Sequence, residues 1–564
     1  MVNKQNSRRN GILVYALLLT AAFSFRIAIA RLLPTEEPLA SQVYAQLARN
    51  LIEHRVYSPL QEVPYEPSVI RVPGYPLFLA GVYSIFGLED DPAVRIVQAL
   101  VDTISCGLIA FIAFLWEPDT KRKRRTAISA LALAAFCPFT AIYVATILPE
   151  TLTIFFSLGM CLTATLAFKA TTQRKVALFW AASGLLGGMA VLFRPDAALF
   201  AAAIGITLVV ATLKRASEAS FPSKRDEMLF RFARTSTMGA LFSLTFCLAL
   251  VPWAARNYRV FGVFQPLAPA YATMPGDFVP RGYFSWLRTW VDDSRYVGPT
   301  VLALDEFPIK LEDIPDHAFD SAEEKQRVAA LLEAYNQRLK DLDENLEERM
   351  QEEPAPLDDE PNENAGSEPG QPDEEGAPVD EDDELSTSAD ESSVVTGDHF
   401  SLTVIQKMTP EIDAGFARIA NERRARNPLR YYFLLPARRG ASLWFDTHSQ
   451  YYPFEGELLP LQNLDSKSQQ QIWLPLFALL TLVYTVLGIL GGRRLWQTRD
   501  FESRQWLLLA SLVIFFRLAY FATFENPEPR YTVELFPFVI ILAGIALTLI
   551  TTDIRSVFVS RSVR

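Results

Sequence analysis

The chain has 564 residues, half of them apolar, with 53 Lys or Arg against 64 Asp or Glu and a net charge of −11. The apolar residues gather in blocks of 18 or more with the charges between them, which excludes a string of soluble domains and points to a polytopic membrane protein. The acidity is local: residues 341–392 hold 22 Asp or Glu and one basic residue, Arg349, so the rest of the chain carries +10 and calls for no basic partner.

About ten membrane helices are predicted, at 11–33, 93–116, 126–146, 148–168, 176–193, 197–213, 236–254, 471–491, 505–523 and 532–551. Residues 1–33 supply a short N-terminus with Lys4, Arg8 and Arg9 and a first span with no convincing cleavage site, read as uncleaved. Lys and Arg then recur in alternate loops: Lys121 to Arg125, Arg174 and Lys175, Lys214 to Arg234, Arg493 to Arg504, and the tail with Arg555, Arg561 and Arg564. The positive-inside rule makes these loops and both termini cytoplasmic. Two long segments, 34–92 and 255–470, then face outward.

In the first outer loop, 34–92, Ser41 to His54 shows helical spacing at Val43, Leu47 and Leu51, suited to lying on the membrane surface or on the bundle. Pro73 and Gly74 break the chain before a second apolar stretch, Tyr75 to Phe86. Residues 93–254 carry spans two to seven. The segment 255–340 is mixed, and Ser321-Ala322-Glu323-Glu324 reads as a capping box opening a helix through Val328, Leu332, Tyr335 and Leu339. Residues 341–398 form an acidic linker, with 350–395 too polar to offset chain entropy and so predicted to be disordered. No calcium-loop spacing is present there. Residues 399–470 are basic and aromatic, with Arg418, Arg423, Arg424, Arg426, Arg430, Tyr431, Tyr432, Arg438, Arg439 and Trp444 suited to phosphate or an acidic glycan. On the outer face they have no nucleic acid to meet. The last three spans and the tail occupy 471–564.

Cys106, Cys137, Cys161 and Cys247 all lie in apolar blocks and read as small core residues, without zinc spacing or a disulfide framework. His54, His317, His399 and His448 are far apart and have no metal spacing. Arg26 and Asp102 fall within neighbouring antiparallel spans at depths that differ by only ~3 Å, and are expected to form a structural pair, with a proton relay as the alternative. A third charge inside a span, Arg517, has no assigned role.

Seven pieces of sequence, all at outer helix ends, resemble the integral-membrane glycosyltransferases of the GT-C fold, among them the protein O-mannosyltransferases and the aminoarabinose lipid A transferases. They are VYAQLARNLIEHRVYS (43–58), RVPGYPLFLAGVYSIFG (71–87), RIVQAL (95–100), ILPETL (147–152), FRPDA (193–197), VPWAARNYRVFG (251–262) and EPRYTVELFP (528–537). The resemblance implies an all-α, multi-pass bacterial inner-membrane protein. Its expected reaction moves a sugar, with inversion, from a polyprenyl-phosphate donor to a hydroxyl of a lipid, glycan or protein acceptor. It requires no cofactor, and a divalent cation (Mg or Mn) is compatible with it.

Such chemistry needs a carboxylate to accept the hydroxyl proton and cations to stabilise the departing phosphate. The family's Asp, four residues before the Tyr that corresponds to Tyr44, is here Ala40, followed by Ser41. The nearest acids are Glu36 and Glu37, and Glu37 is the first candidate base. Glu150, between two apolar blocks, is the second acid; its plainer reading is an ion pair with a nearby Arg. Arg71, Arg194, Arg256 and Arg530 are candidate phosphate ligands, since a guanidinium fits phosphate bidentately; interfacial snorkelling is the alternative. Tyr44 and Tyr75 are expected to position substrate. No metal ligand is assigned.

Two rival readings stand beside the enzyme. A lipid-linked sugar flippase would show a two-half repeat, against which the seven-plus-three division of spans argues. A catalytically inactive, glycan-binding relative is favoured by Ala40.

Overall fold

The computed structural model describes residues 2–33, 39–214, 223–269, 271, 273–352, 407–446 and 468–562. Every regular element among them is helical. In chain order these are α1 (Val2–Leu32), α2 (Leu39–Glu53), α3 (Gly74–Phe86), α4 (Asp91–Trp116), α5 (Lys123–Ala135), α6 (Pro138–Ala141), α7 (Glu150–Lys169), α8 (Gln173–Phe193) and α9 (Ala198–Lys214). They continue with α10 (Lys224–Phe261), α11 (Arg281–Leu287), α12 (Ala322–Glu352), α13 (Pro410–Arg426), α14 (Leu435–Phe445), α15 (Ser468–Gln497), α16 (Phe501–Phe521) and α17 (Phe536–Ser562).

Nine helices among the described residues are long and apolar enough to cross a membrane, and a bent pair makes a tenth. That pair is the predicted third span: it runs as Lys123–Ala135 and Pro138–Val144 with a 50° bend between them. Pro138 explains the break, because it lacks the N–H and its ring disfavours helical geometry at Cys137, whose backbone is extended. Each other predicted span overlaps one of the nine.

Close packing depends on small residues where helices cross. A Cβ on Gly184 of α8 would lie 2.1 Å from the Phe242 carbonyl oxygen of α10, and one on Gly188 would lie 2.4 Å from that of Phe246. Glycines four apart thus bring the two backbones together, the common device where lipid supplies no hydrophobic drive between helices. Arg26 and Asp102 pair as their depths suggest, at 2.5 Å and both buried. Arg26 also donates to the carbonyls of Ala22, Ala134 and Ala135, tying α1, α4 and the end of α5. Three cysteines are buried as expected, but Cys247 is exposed on α10.

The predicted helices of the first loop are α2 and α3. In the second long segment, Tyr283, Trp286, Trp290, Val328, Leu332, Tyr335 and Phe416 form a separate apolar core joining α11, α12 and α13. The Ser321 hydroxyl accepts from the Glu324 N–H at 3.1 Å, as a capping box requires. The Glu324 carboxylate reaches the Asp320 N–H instead of the Ser321 N–H, and is held by Arg423. One boundary shifts: α12 continues to Glu352, so the start of the acidic stretch at 341–352 is helical. Lys340 with Glu344 and Gln337 with Asp341, each four residues apart, support that extension. The remainder of the predicted linker, 353–398, lies outside the described residues, as do His399 and His448.

Candidate functional site

The site is built at the end of the bundle that carries both long segments. Glu150 is the first residue of α7, following the tight Leu148-Pro149 turn, and is fully buried. Arg194 stands at the end of α8. Pro195 follows it, which disfavours helical geometry at the preceding residue, and Arg194 is extended at φ −146°, ψ 121°. The helix therefore stops there and the side chain turns into the bundle.

Arg194 meets three carboxylates: Glu150 at 2.6 Å, Asp196 at 3.1 Å and Glu534 at 3.4 Å. Arg517 of α16 meets Asp196 at 2.5 Å and Glu534 at 2.7 Å. Arg530 completes the ring on Glu150 at 3.1 Å. Three guanidinium groups thus face three carboxylates, joining α7, α8, α16 and the turns at 195–197 and 529–535. Aromatic faces close the ring: Arg194 lies over Tyr531, and Arg517 over Phe200 and Phe521. Counted over these six described side chains the charge is zero, and in so dry a place balance matters, because an unpaired ion costs several kcal/mol.

The first loop forms a second wall. A Cβ on Gly74 would sit 2.5 Å from the Leu192 carbonyl oxygen, so only glycine lets the Pro73–Tyr75 turn lie against the end of α8, two residues before Arg194. Tyr75 is buried; its hydroxyl donates to Gln98 at 2.9 Å, and its ring meets Tyr44 edge-on at 5.2 Å. Gln98 in turn donates to the carbonyls of Val144 and Thr146, in the turn that leads to Glu150. A chain of polar contacts therefore runs from the loop motif to the turn that precedes Glu150.

Arg71 and Arg256 belong to this wall. The Arg71 guanidinium lies 5.9 Å from the centre of the Tyr44 ring and, among the described residues, donates to the Ile70 carbonyl. Arg256 donates to the Ser68 carbonyl at 2.7 Å and stacks over Tyr57 and Trp253. Among the described residues neither has a carboxylate within ion-pair distance. Tyr57 fixes the same loop by donating to the carbonyls of Arg71 and Val72.

Of the residues singled out in the sequence, the structure thus brings Glu150, Arg194 and Arg530 into one cluster and Arg71, Arg256, Tyr44 and Tyr75 into the adjoining loop wall. Glu36 and Glu37 lie outside the described residues. Ala40 and Ser41 are in α2, and the buried Ser41 hydroxyl has no hydrogen-bond partner among the described residues. The sequence reading left Arg517 unassigned and passed over Asp196 and Glu534, although both acids stand inside quoted motifs. Charge balance was the available signal, since arginines at apolar helix ends demand nearby acids. No group of three or more His, Cys, Asp or Glu among the described residues could hold a metal ion.

Residues 67–223 match the family model of dolichyl-phosphate-mannose-protein mannosyltransferases. The chain is therefore similar, over a segment that includes Arg71, Tyr75, Glu150 and Arg194, to a family of membrane glycosyltransferases. Comparison with curated proteins gives no match. Among solved structures, the archaeal oligosaccharyltransferase AglB from Archaeoglobus fulgidus, in complex with an inhibitory peptide and a dolichol-phosphate, aligns at 13% identity and TM-score 0.46, covering 98% of this chain and 52% of that one. The Archaeoglobus fulgidus oligosaccharyltransferase tethered to an acceptor peptide containing the NVT sequon aligns at 11% identity and TM-score 0.46, covering 96% and 50%. This chain spans about half the length of those structures.

Proposed function

We propose that the protein is a membrane glycosyltransferase that moves a sugar from a polyprenyl-phosphate donor to an acceptor hydroxyl, at the face bearing the two long segments. The observation that carries this reading is the family match over 67–223, which contains the Arg71–Tyr75 turn. The geometry supports a division of labour. Arg71 and Arg256 have no carboxylate to satisfy among the described residues and are the phosphate ligands. Arg194, Arg517 and Arg530 are engaged by Glu150, Asp196 and Glu534 and hold the helix ends that carry the loop.

In the proposed step the acceptor oxygen attacks the anomeric carbon as the bond from that carbon to the phosphate oxygen breaks. The hydroxyl proton passes to Glu37, with Glu36 as its alternate, and polyprenyl phosphate departs toward Arg71 and Arg256. A single displacement inverts the anomeric centre. Tyr44 and Tyr75 shape the wall beside the sugar. The scheme requires no cofactor, and a divalent cation (Mg or Mn) is compatible with it; among the described residues the clustered carboxylates are engaged by guanidinium groups. The acceptor is a hydroxyl of a lipid, glycan or protein. A bacterial inner membrane with both termini cytoplasmic is the proposed setting, from the distribution of Lys and Arg.

The test is release of free polyprenyl phosphate by purified protein given polyprenyl-phosphate sugars and an acceptor extract. Release should persist in a chelator and fall at least about a hundredfold in Glu37→Gln, as expected when a general base is lost. Sugar-lipid binding without release, in folded protein, would replace this reading with the inactive relative that Ala40 favours.

A further inference from the structure

Outside the membrane bundle, a cavity of about 250 Å³ opens between Thr289, Asp320, Arg423, Arg426, Arg430 and Tyr431. Its charges do not balance. Asp320 is shared by Arg423 at 3.3 Å, Arg426 at 2.8 Å and Arg430 at 3.5 Å. Glu324 adds a second carboxylate, but it is buried behind the cavity against Arg423, with Arg426 at 3.5 Å. Among the described residues, three guanidinium groups thus share two carboxylates within ion-pair distance, where the ring at the bundle end has three for three. The carbonyl end of α13 absorbs part of the excess. Even so, burial and the guanidinium groups of Arg430, Arg438 and Arg423, opposed by Asp292, hold the neighbouring His317 imidazole below its ordinary pKa.

The position of the cavity narrows the ligand. Thr289 follows Arg288, which pairs with Glu525 in the turn after α16. Leu435 lines the cavity, and Arg439, one helical turn on, donates to the carbonyls of Arg288, Val291 and Ala522. The cavity therefore stands just above the end of the bundle. Arg430 opens a π-helical turn, Arg430–Leu434, on which Tyr432, Phe433 and Leu434 are exposed, beside exposed Leu429. One side of this segment offers guanidinium groups and the other offers bare apolar side chains, the pairing that suits a headgroup with its lipid.

We propose that this cavity is a binding site for a phosphate-ester group, separate from the donor-phosphate arginines Arg71 and Arg256. A phosphate would take the excess charge of Arg426 and Arg430 through charge-assisted hydrogen bonds, with Thr289 and Tyr431 lining the same space. The phosphate ester comes either from an anionic phospholipid or from a soluble ester, and the experiment separates the two.

Full-length protein in neutral nanodiscs is titrated with short-chain phosphatidylglycerol, with glycerol 1-phosphate and with short-chain phosphatidylcholine, followed by intrinsic fluorescence. Arg426→Gln and Arg430→Gln should each weaken binding of the preferred phosphate about tenfold while thermal unfolding stays unchanged. Arg327→Gln, which breaks an exposed pair with Glu422 on the same domain, is the control and should bind as wild type. Binding of phosphatidylglycerol well above glycerol 1-phosphate assigns a lipid headgroup, and equal binding assigns a soluble ester. Binding that is unaltered in both Arg426→Gln and Arg430→Gln, or equal for phosphatidylglycerol and phosphatidylcholine without glycerol 1-phosphate binding, overturns the proposal. Glycosyl transfer is not read, so failure here leaves the enzyme reading standing, and failure of that reading leaves this one.

Discussion

Arginine does opposite work in two adjoining regions of this protein. In the ring at the bundle end, Arg194, Arg517 and Arg530 are matched one for one by Glu150, Asp196 and Glu534, and all six side chains are mostly or fully buried. In the loop wall, Arg71 and Arg256 rest on aromatic rings and backbone carbonyls, with no carboxylate beside them among the described residues. A balanced cluster has no charge left for a dianionic phosphate. A guanidinium supported only by rings and carbonyls keeps its charge. Proximity to a membrane surface and an arginine in a motif therefore do not by themselves define a phosphate site; the local count of carboxylates does.

The sharpest way to break this comparison is to unbalance the ring. Arg517→Met leaves Asp196 and Glu534 to Arg194 alone, one carboxylate in excess in a dry interior, and loss of one partner of a buried pair costs about 3–5 kcal/mol. The expected result is a large fall in the thermal midpoint of the purified protein. Adding Glu534→Gln to Arg517→Met restores neutrality and should recover much of the loss. If Arg517→Met leaves stability intact but abolishes polyprenyl phosphate release, the ring is functional chemistry and the division drawn above is wrong.

How much of this was legible beforehand follows the same line. The spans, the amphipathic α2, the helix after Ser321 and the Arg26–Asp102 pair could all be read, because each is set by local periodicity or by depth along neighbouring helices. The bend at Pro138 was announced by the proline and still passed as one straight span, since hydropathy does not sense direction. The ring could not be read whole. Its members come from four stretches between 150 and 534, and nothing in sequence spacing says that Asp196 faces Arg517 or that Glu534 faces both arginines. Glu150 was legible as a buried acid, and its partner only as one of several nearby arginines. The extension of α12 to Glu352 was missed because acidic composition was weighed above pairs four residues apart.

A second, smaller effect should come from the loop wall. Arg71→Gln and Arg256→Gln remove a charge that no described carboxylate depends on, so folding should be little affected. Donor affinity should fall: a hydrogen bond to a charged group contributes about 1.5–3 kcal/mol, or roughly tenfold to a hundredfold. Binding of a polyprenyl-phosphate sugar by the two variants, beside their unfolding curves, makes the measurement. Donor binding at the wild-type level in both would move the phosphate site elsewhere.

The smallest effect tests the seam between the regions. The Tyr75 hydroxyl holds Gln98, and Gln98 holds the turn that delivers Glu150 to the ring. Tyr75→Phe keeps the ring against Tyr44 and deletes one buried hydrogen bond, a loss of about 1 kcal/mol. Because Gln98 retains its two carbonyl acceptors, Glu150 should stay paired with Arg194 and the stability change should remain at that level. If the seam also sets the loop, turnover should drop severalfold with donor affinity nearly unchanged, since the wall is displaced while Arg71 and Arg256 remain. A loss of stability comparable to that of Arg517→Met would instead show that the loop and the ring are one cooperative unit, in which the pairing state of an arginine cannot be separated from the loop that lies over it.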